Sequence, residues 1–244
     1  MKKLILSFTF IMITLASYAQ TSNYQKNNED MTENKEKTPL YYYTENEMNK
    51  VSAYIEQQYG EYENVMHEKV SLDIHCDIVI VEPTEDQPYY KLITMGAGAY
   101  QMNVPKSLKG EVYDRAEYVI FLPKDWNIES DDEEFYWPIR MLKTIARLPI
   151  YLENWLGSGH TAQYEDHVPF SETAGYNSCV LLPSIGMEKQ YVKPLKLGFW
   201  SKKIAFYQIF PLYQEELDFK LAHSLDELLD KMDMGDNYTD ENLI

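Results

Sequence analysis

The chain has 244 residues, 45% of them hydrophobic, and sets 39 acidic against 22 basic side chains for a formal net charge of −17. A domain near this length buries roughly 70% of the surface its unfolded chain exposes, so the fold needs no disulfide or metal staple. The negative field repels phosphate backbones and anionic lipid, which argues against direct nucleic-acid or membrane-surface binding and favours a basic protein partner.

Residues Met1–Gln20 have the form of a secretory signal peptide. Lys2 and Lys3 precede an apolar run, Leu4–Leu15, that is too short to span a bilayer comfortably, and Ala16-Ser17-Tyr18-Ala19 supplies the small residues of a cleavage site after Ala19. No cysteine follows the run, so a lipoprotein thioether is not expected. The predicted product is exported, periplasmic or secreted, with no membrane attachment after cleavage; without a functional signal it would be cytoplasmic. Residues 20–39, rich in Asn, Glu, Lys and Thr, read as a disordered spacer. The domain is expected over 40–232, with a frayed tail at 233–244.

Thr44-x-x-Glu47 is a capping-box pattern, and Met48, Val51, Ile55 and Tyr59 follow at helical spacing before Gly60. Leu72, Ile74, Cys76, Ile78 and Ile80 alternate with Asp73, His75, Asp77, Val79 and Val81, the period of a strand, which Pro83 ends. Tyr90–Met95 and Tyr118–Leu122 read as further strands, the first closed by Gly96-Ala97-Gly98. An acidic loop, Ile128–Glu134, precedes a helix with Pro138 in its first turn, Ile139, Leu142, Ile145 and Ala146 inward, and Pro149 at its end. Cys179–Leu182 and Ile204–Phe210 supply two later strands. Leu212, Leu217 and Leu221 mark one side of a helix, and Ser224-x-x-Glu227 caps a short last one. Strands interleaved with helices imply an α+β fold: one domain with a mixed, largely antiparallel sheet flanked by helices.

Chemistry-bearing residues are sparse. Asp73, His75 and Asp77 fall on one strand face, where a carboxylate–imidazole–carboxylate row can hold a divalent cation or orient a general base. The plainer reading, that such a strand shows its polar side to water, is preferred. His160 lies in Gly157-Ser158-Gly159-His160-Thr161, where glycines permit a sharp turn. Its imidazole and the Thr161 hydroxyl either meet a partner or tie down the loop, with Trp155 as the anchor. His67, His167 and His223 show no helix-ligand spacing, and no Gly-x-Ser-x-Gly, His-Glu-x-x-His or reactive cysteine setting is present. Gly96-Ala97-Gly98-Ala99 lacks the later residues of a phosphate loop and reads as a strand-ending turn. Cys76 and Cys179 are expected as buried free thiols, with a disulfide between them as the alternative. Neither a cofactor nor a metal is expected.

Several blocks in order, Ile74–Pro83 (IHCDIVIVEP), Pro88–Gly96 (PYYKLITMG), Arg115–Trp126 (RAEYVIFLPKDW), Trp137–Pro149 (WPIRMLKTIARLP), Trp155–Thr161 (WLGSGHT) and Ile204–Met232, resemble the suppressor of fused domain family. The resemblance spans about residues 40–232. It implies a non-enzymatic binding module of the bacterial single-domain type, since the chain is too short for the additional C-terminal domain of the animal members. Bacterial relatives are thought to be immunity proteins of polymorphic toxin systems, so the resemblance points to a protein partner, with a basic toxin domain as the candidate. Within its Pro-Leu-Tyr-x-Glu-Glu-Leu block, Tyr213, Glu215 and Glu216 either hold a sheet–helix corner or receive that partner; Trp155, His160 and Thr161 are further candidates. An exported metal-dependent enzyme using Asp73, His75 and Asp77, and an envelope scaffold, are the alternative readings.

Overall fold

A computed structural model describes residues 39–163, 168–198 and 202–232. The predicted signal peptide, the tail and all but the last residue of the spacer lie outside them. Among the described residues an eight-stranded sheet forms the middle layer, in the order β1-β2-β3-β4-β8-β6-β5, with β7 paired to β8 off this path. The strands are β1 (Asn64–Met66), β2 (Asp77–Val81), β3 (Tyr89–Met95), β4 (Ala116–Pro123), β5 (Thr161–Gln163), β6 (Ser178–Pro183), β7 (Leu195–Lys196) and β8 (Lys203–Leu212). The helices are α1 (Glu45–Tyr59), α2 (Glu133–Tyr151), α3 (Gln214–Ala222) and α4 (Leu225–Lys231). The sheet is antiparallel except where β8 enters beside β4 in parallel. The expected mixed, largely antiparallel α+β domain is therefore what forms.

Both faces of the sheet are buried. Ile78, Ile80, Leu92, Tyr118, Ile120, Leu181, Tyr207 and Ile209 face α2, which contributes Trp137, Leu142 and Ile145. On the other face Val79, Val81, Ile93, Val119, Phe121 and Phe206 pack beneath Val51, Ile55 and Tyr59 of α1. A smaller cluster, Val180, Leu182, Phe210 and Leu212, lies under Leu228 of α4. β8 is the longest strand and stands between β4 and β6, so the two halves of the sheet join through it.

The local signals explain most element ends. Thr44 Oγ1 accepts from Glu47 N and Glu47 Oε2 accepts from Thr44 N, the reciprocal capping pair that starts α1, and Gly60 stops it with φ of 118°. Ser224 Oγ accepts from Glu227 N to start α4. Three expectations need correction. The strand predicted from Leu72 begins only at Asp77, because residues 73–76 place their backbone bonds elsewhere. Tyr41 N donates to Asp73 O, His75 N donates to Tyr41 O, and Cys76 N donates to Glu68 Oε2. Helix α2 starts at Glu133, ahead of Pro138, and runs past Pro149 to Tyr151; acidic Glu133 and Glu134 in its first turn favour the positive end of the helix dipole. Leu212 belongs to β8, and Leu221 is exposed, leaving Leu217 as the buried leucine of α3. The short strands β1, β5 and β7 carry no periodic signal. Cys76 and Cys179 are both free and buried, and burial pushes the Cys179 thiol up to about 12.

Two buried ionisable groups pin the layers. Glu117 on β4 accepts five hydrogen bonds: from Tyr43 Oη and Thr94 Oγ1, each at 2.6 Å, from Gly96 N and Gly98 N at 3.0 Å, and from Ala97 N at 3.2 Å. Gly96 is required there, since its φ of 137° and a Cβ lying 1.9 Å from the His75 carbonyl oxygen would reject any side chain. Thr94 Oγ1 also accepts from Tyr118 N, so its own proton is free to reach Glu117. Backbone amides can only donate, and the set suits an ionised carboxylate; burial nonetheless raises the Glu117 pKa above the ordinary value, opposed by the hydrogen bonds. Lys91 on β3, 2% exposed, donates to Tyr59 O at 2.7 Å and to Gln87 Oε1, and burial lowers its pKa to about 8.

Glu117→Gln sets an amide NH2 against Gly96 N and Gly98 N or, with the amide turned over, against Ala97 N, and the expected cost is about 2–4 kcal/mol, read from urea unfolding. An unchanged midpoint would mean that the amide cradle does not depend on a carboxylate. For Lys91 the folded pKa lies below the unfolded one. Between about pH 8 and pH 10.5 the unfolded chain therefore binds more protons, and stability rises with pH across that window. Compared with Lys91→Met, the wild type should gain about 2 kcal/mol between the two ends of that window; parallel pH profiles would contradict the burial of a titrating amine.

Candidate functional site

The polar row Asp73, His75 and Asp77 divides: Asp73 turns to α2, whereas His75 and Asp77 stay in contact. Asp73 and Asp77 are buried rather than turned to water, and they serve different partners. Asp73 Oδ1 accepts from Arg147 Nε at 3.0 Å and its Oδ2 accepts from Tyr151 Oη at 2.8 Å. Arg147 Nη2 also donates to Glu68 Oε1 at 2.6 Å, so one guanidinium of α2 bridges two acids of the segment before β2. The two carboxylates hold the Arg147 pKa above its usual value against the opposing effect of burial. Asp77 Oδ2 meets His67 Nδ1 at 3.0 Å, its Oδ1 lies 3.3 Å from His75 Nε2, and Glu68 N donates to Oδ1 at 2.8 Å. Among the described residues no group of three or more His, Cys, Asp or Glu side chains is placed to hold a metal ion. The arrangement fastens a loop to a helix.

Trp155, His160 and Thr161 do come together. The Trp155 and His160 rings stand 4.3 Å apart at a 55° tilt, both half-buried. The backbone holds the turn: Gly159 N donates to Leu181 O at 2.7 Å and Leu181 N donates to His160 O at 2.9 Å, extending the β5–β6 pairing in which Thr161 faces Val180. Gly157 is needed because a Cβ would come within 2.8 Å of the Trp155 ring. His160 Nδ1 is buried without a hydrogen-bond partner, while the ring has a hydrogen bond with the Trp155 backbone that opposes the fall of its pKa. Burial lowers the His160 pKa, and Lys220 of α3 adds to the effect, which favours the neutral ring.

The Tyr213 block adjoins this turn. Gln163 Nε2 of β5 donates to Gln214 Oε1 at 2.9 Å, and Asn177 Nδ2 donates to the same oxygen, joining the edge strand to the first residue of α3. Tyr213 is 44% exposed and packs its ring on Tyr176 at 4.4 Å. Burial, then the hydrogen bond with Tyr213, pushes the Tyr176 pKa up to about 12. Glu216 Oε2 accepts from Tyr213 N at 2.8 Å, a cap at the start of the helix, whereas Glu215 is exposed with no ion pair or hydrogen bond among the described residues. The three residues of this block therefore divide: Glu216 holds the corner, while Tyr213 and Glu215 face outward. Two groups result, Trp155, His160 and Thr161 at the start of β5, and Tyr213 with the unengaged Glu215 carboxylate at the start of α3, and the far end of β5 joins the second through Gln163 and Gln214. Asp73, His75 and Asp77 belong to another region.

The sequence profile of the suppressor of fused protein (SUFU) family matches residues 73–242. Among solved structures, a suppressor of fused homologue from Neisseria gonorrhoeae is similar, with a TM-score of 0.50 at 16% identity over 80% of this chain and 92% of that one. The Sufu–Fu complex gives 0.52 at 14% identity, covering 75% of this chain and 80% of the other. Drosophila Suppressor of Fused gives 0.45 at 13% identity and is covered over only 44% of its length. No curated protein matches the sequence.

The division within the Tyr213 block is testable by mutation. Glu216→Gln should cost about 0.5–1 kcal/mol of stability through the weakened cap, and Glu215→Gln should change stability by less than about 0.5 kcal/mol. Equal losses in denaturant unfolding would contradict the assignment of Glu215 to the free surface.

Proposed function

Because the chain belongs to the suppressor of fused family, we propose that it is a non-enzymatic module that captures and neutralises a protein partner, as an immunity protein does for its toxin. The observation that carries this reading is the pair of segments Trp155–Thr161 and Tyr213–Glu215. The first carries the half-buried Trp155 and His160 rings, and the second sets the Tyr176–Tyr213 ring pair at the start of the helix that exposes the Glu215 carboxylate, which no described residue engages. Such rings are suited to binding, since they offer large rigid area at little entropic cost. The net charge of −17 would draw a basic partner and raise its association rate. The solved complex of a similar chain, Sufu–Fu, is itself an assembly with another protein, which supports the same class of activity here. If Met1–Gln20 serves as an export signal, the encounter is outside the cytoplasm, and the toxin on this reading acts in the envelope or beyond it.

Affinity capture with the exported chain, from envelope and extracellular fractions of the native organism, tests the proposal. The expected result is one stoichiometric basic protein that is toxic when expressed alone and harmless when this chain is co-expressed. A constitutive, non-toxic envelope partner would make the chain a scaffold. Substrate turnover or a retained metal with no partner would overturn the binding reading. With the partner in hand, Glu215→Lys should slow association about threefold or more at low ionic strength and much less at high salt. Salt-independent rates for both proteins would remove the electrostatic part of the account.

A further inference from the structure

The loop that joins β1 to β2, His67–Cys76, is fastened at its base and apolar at its tip. Its base is held by Arg147 bonding to Glu68, Asp73 and the Ile74 carbonyl, by Tyr151 on Asp73, and by Tyr41 on the backbone at both Asp73 and His75. Ser71 Oγ further bonds to Glu68 Oε2 at 2.8 Å and lies 2.9 Å from His75 Nδ1. Above this base Val70 is 75% exposed and Leu72 is 78% exposed, although the loop has ample bonding to hold either of them inward. The neighbouring N-terminal segment adds Leu40, 46% exposed, and Tyr42, 66% exposed, on either side of Tyr41, which pairs with Ile74.

Charge is reversed here relative to the rest of the chain. The acids of the loop and its strand junction, Glu68, Asp73 and Asp77, have side chains between 5% and 8% exposed and all are bonded inward. The titratable side chains turned to solvent are His67, Lys69 and His75. The tip thus combines two projecting aliphatic residues with a cationic or neutral fringe, on a chain of net charge −17.

We propose that Val70 and Leu72, with Leu40 and Tyr42 beside them, form a second contact surface that seats in an apolar cleft fringed with carboxylates on a protein partner. A clustered apolar patch rimmed by polar residues marks an interaction site, and buried aliphatic anchors supply affinity while the fringe sets orientation. An anionic bilayer offers similar chemistry, but the field of the whole chain opposes approach to one. The inference rests on the protein-binding reading but not on the basic character of the partner's face at Tyr213–Glu215.

The test places the photocrosslinker benzoylphenylalanine at position 70, 72, 213 or 226 of the full chain, expressed in the native organism and irradiated there. Positions 70 and 72 should give an adduct with one protein, through a peptide rich in Asp and Glu, whereas exposed Asp226 of α4 should not. Lys69→Glu should lower the yield about fivefold or more, and so should irradiation of extracts at high rather than low salt. An adduct at 213 but not at 70 or 72 would overturn this inference and leave the proposed function standing; no protein adduct at any position would sink both. An adduct within the chain itself, or flotation of the full chain with phosphatidylglycerol vesicles that is lost in Leu72→Asp, would assign the tip to another occupant and overturn the proposal.

Discussion

The Glu117 carboxylate, held in a cradle of backbone amides, is the constraint from which the architecture follows. Its five donors come from three places in the chain, Tyr43 ahead of α1, Thr94 at the end of β3 and the Gly96–Gly98 turn, and β4 carries the acceptor. A buried charge without partners costs several kcal/mol, so folding β4 into the sheet requires all of these segments to arrive together. The same turn is closed from outside by Arg115, whose Nη1 donates to the Gly98 and Ala99 carbonyls. A glycine-containing turn that can cradle an anion is thereby occupied by an anion of the chain's own, which removes it from consideration as a ligand site.

With β4 fixed, the parallel entry of β8 beside it becomes the step that joins the two halves of the sheet. β8 carries buried residues on both faces, as β2, β3, β4 and β6 do in large part, and this is why helices are needed on each side. α2 covers one face alone, while α1 and the short α3–α4 pair divide the other. The surfaces proposed for binding lie at places that this layering leaves open: the turn before β5 at one edge, the corner where β8 meets α3, and the loop that precedes β2. The Arg147 ion pairs link the last of these to α2, so its exposed tip is presented rigidly.

Much of this was legible in the sequence. The capping pairs at Thr44 and Ser224 marked helix starts by their chemistry, and the apolar runs after Arg115 and Lys203 marked strands by their composition. Blocks such as Trp155–Thr161 and Tyr213–Leu217 drew attention through their resemblance to a family, and in the structure β5 joins them, with the first block at its start and Gln163 at its end bonded to Gln214. Alternation misled at Asp73–Asp77, because period two says which side a residue takes but not whether that side meets water. Arg147, Tyr151 and Glu68 escaped notice because their partners are 73 or more residues distant for Arg147 and Tyr151, and no local pattern encodes such pairing. Glu117 did leave a signal: it shares a strand face with Val119 and Phe121, so an acid on an apolar face announced a buried partner. The spacing also could not separate Glu215 from Glu216, since only the cap geometry shows which of the two is engaged.

Hydrogen exchange on the full chain, free and bound to its purified partner, tests the central claim most directly, because it reports where binding occurs without altering any residue. The account predicts added protection at 155–163 and 213–217, the two segments that carry the aromatic rings and the unengaged carboxylate. Stoichiometric binding with exchange unchanged at both segments would contradict it.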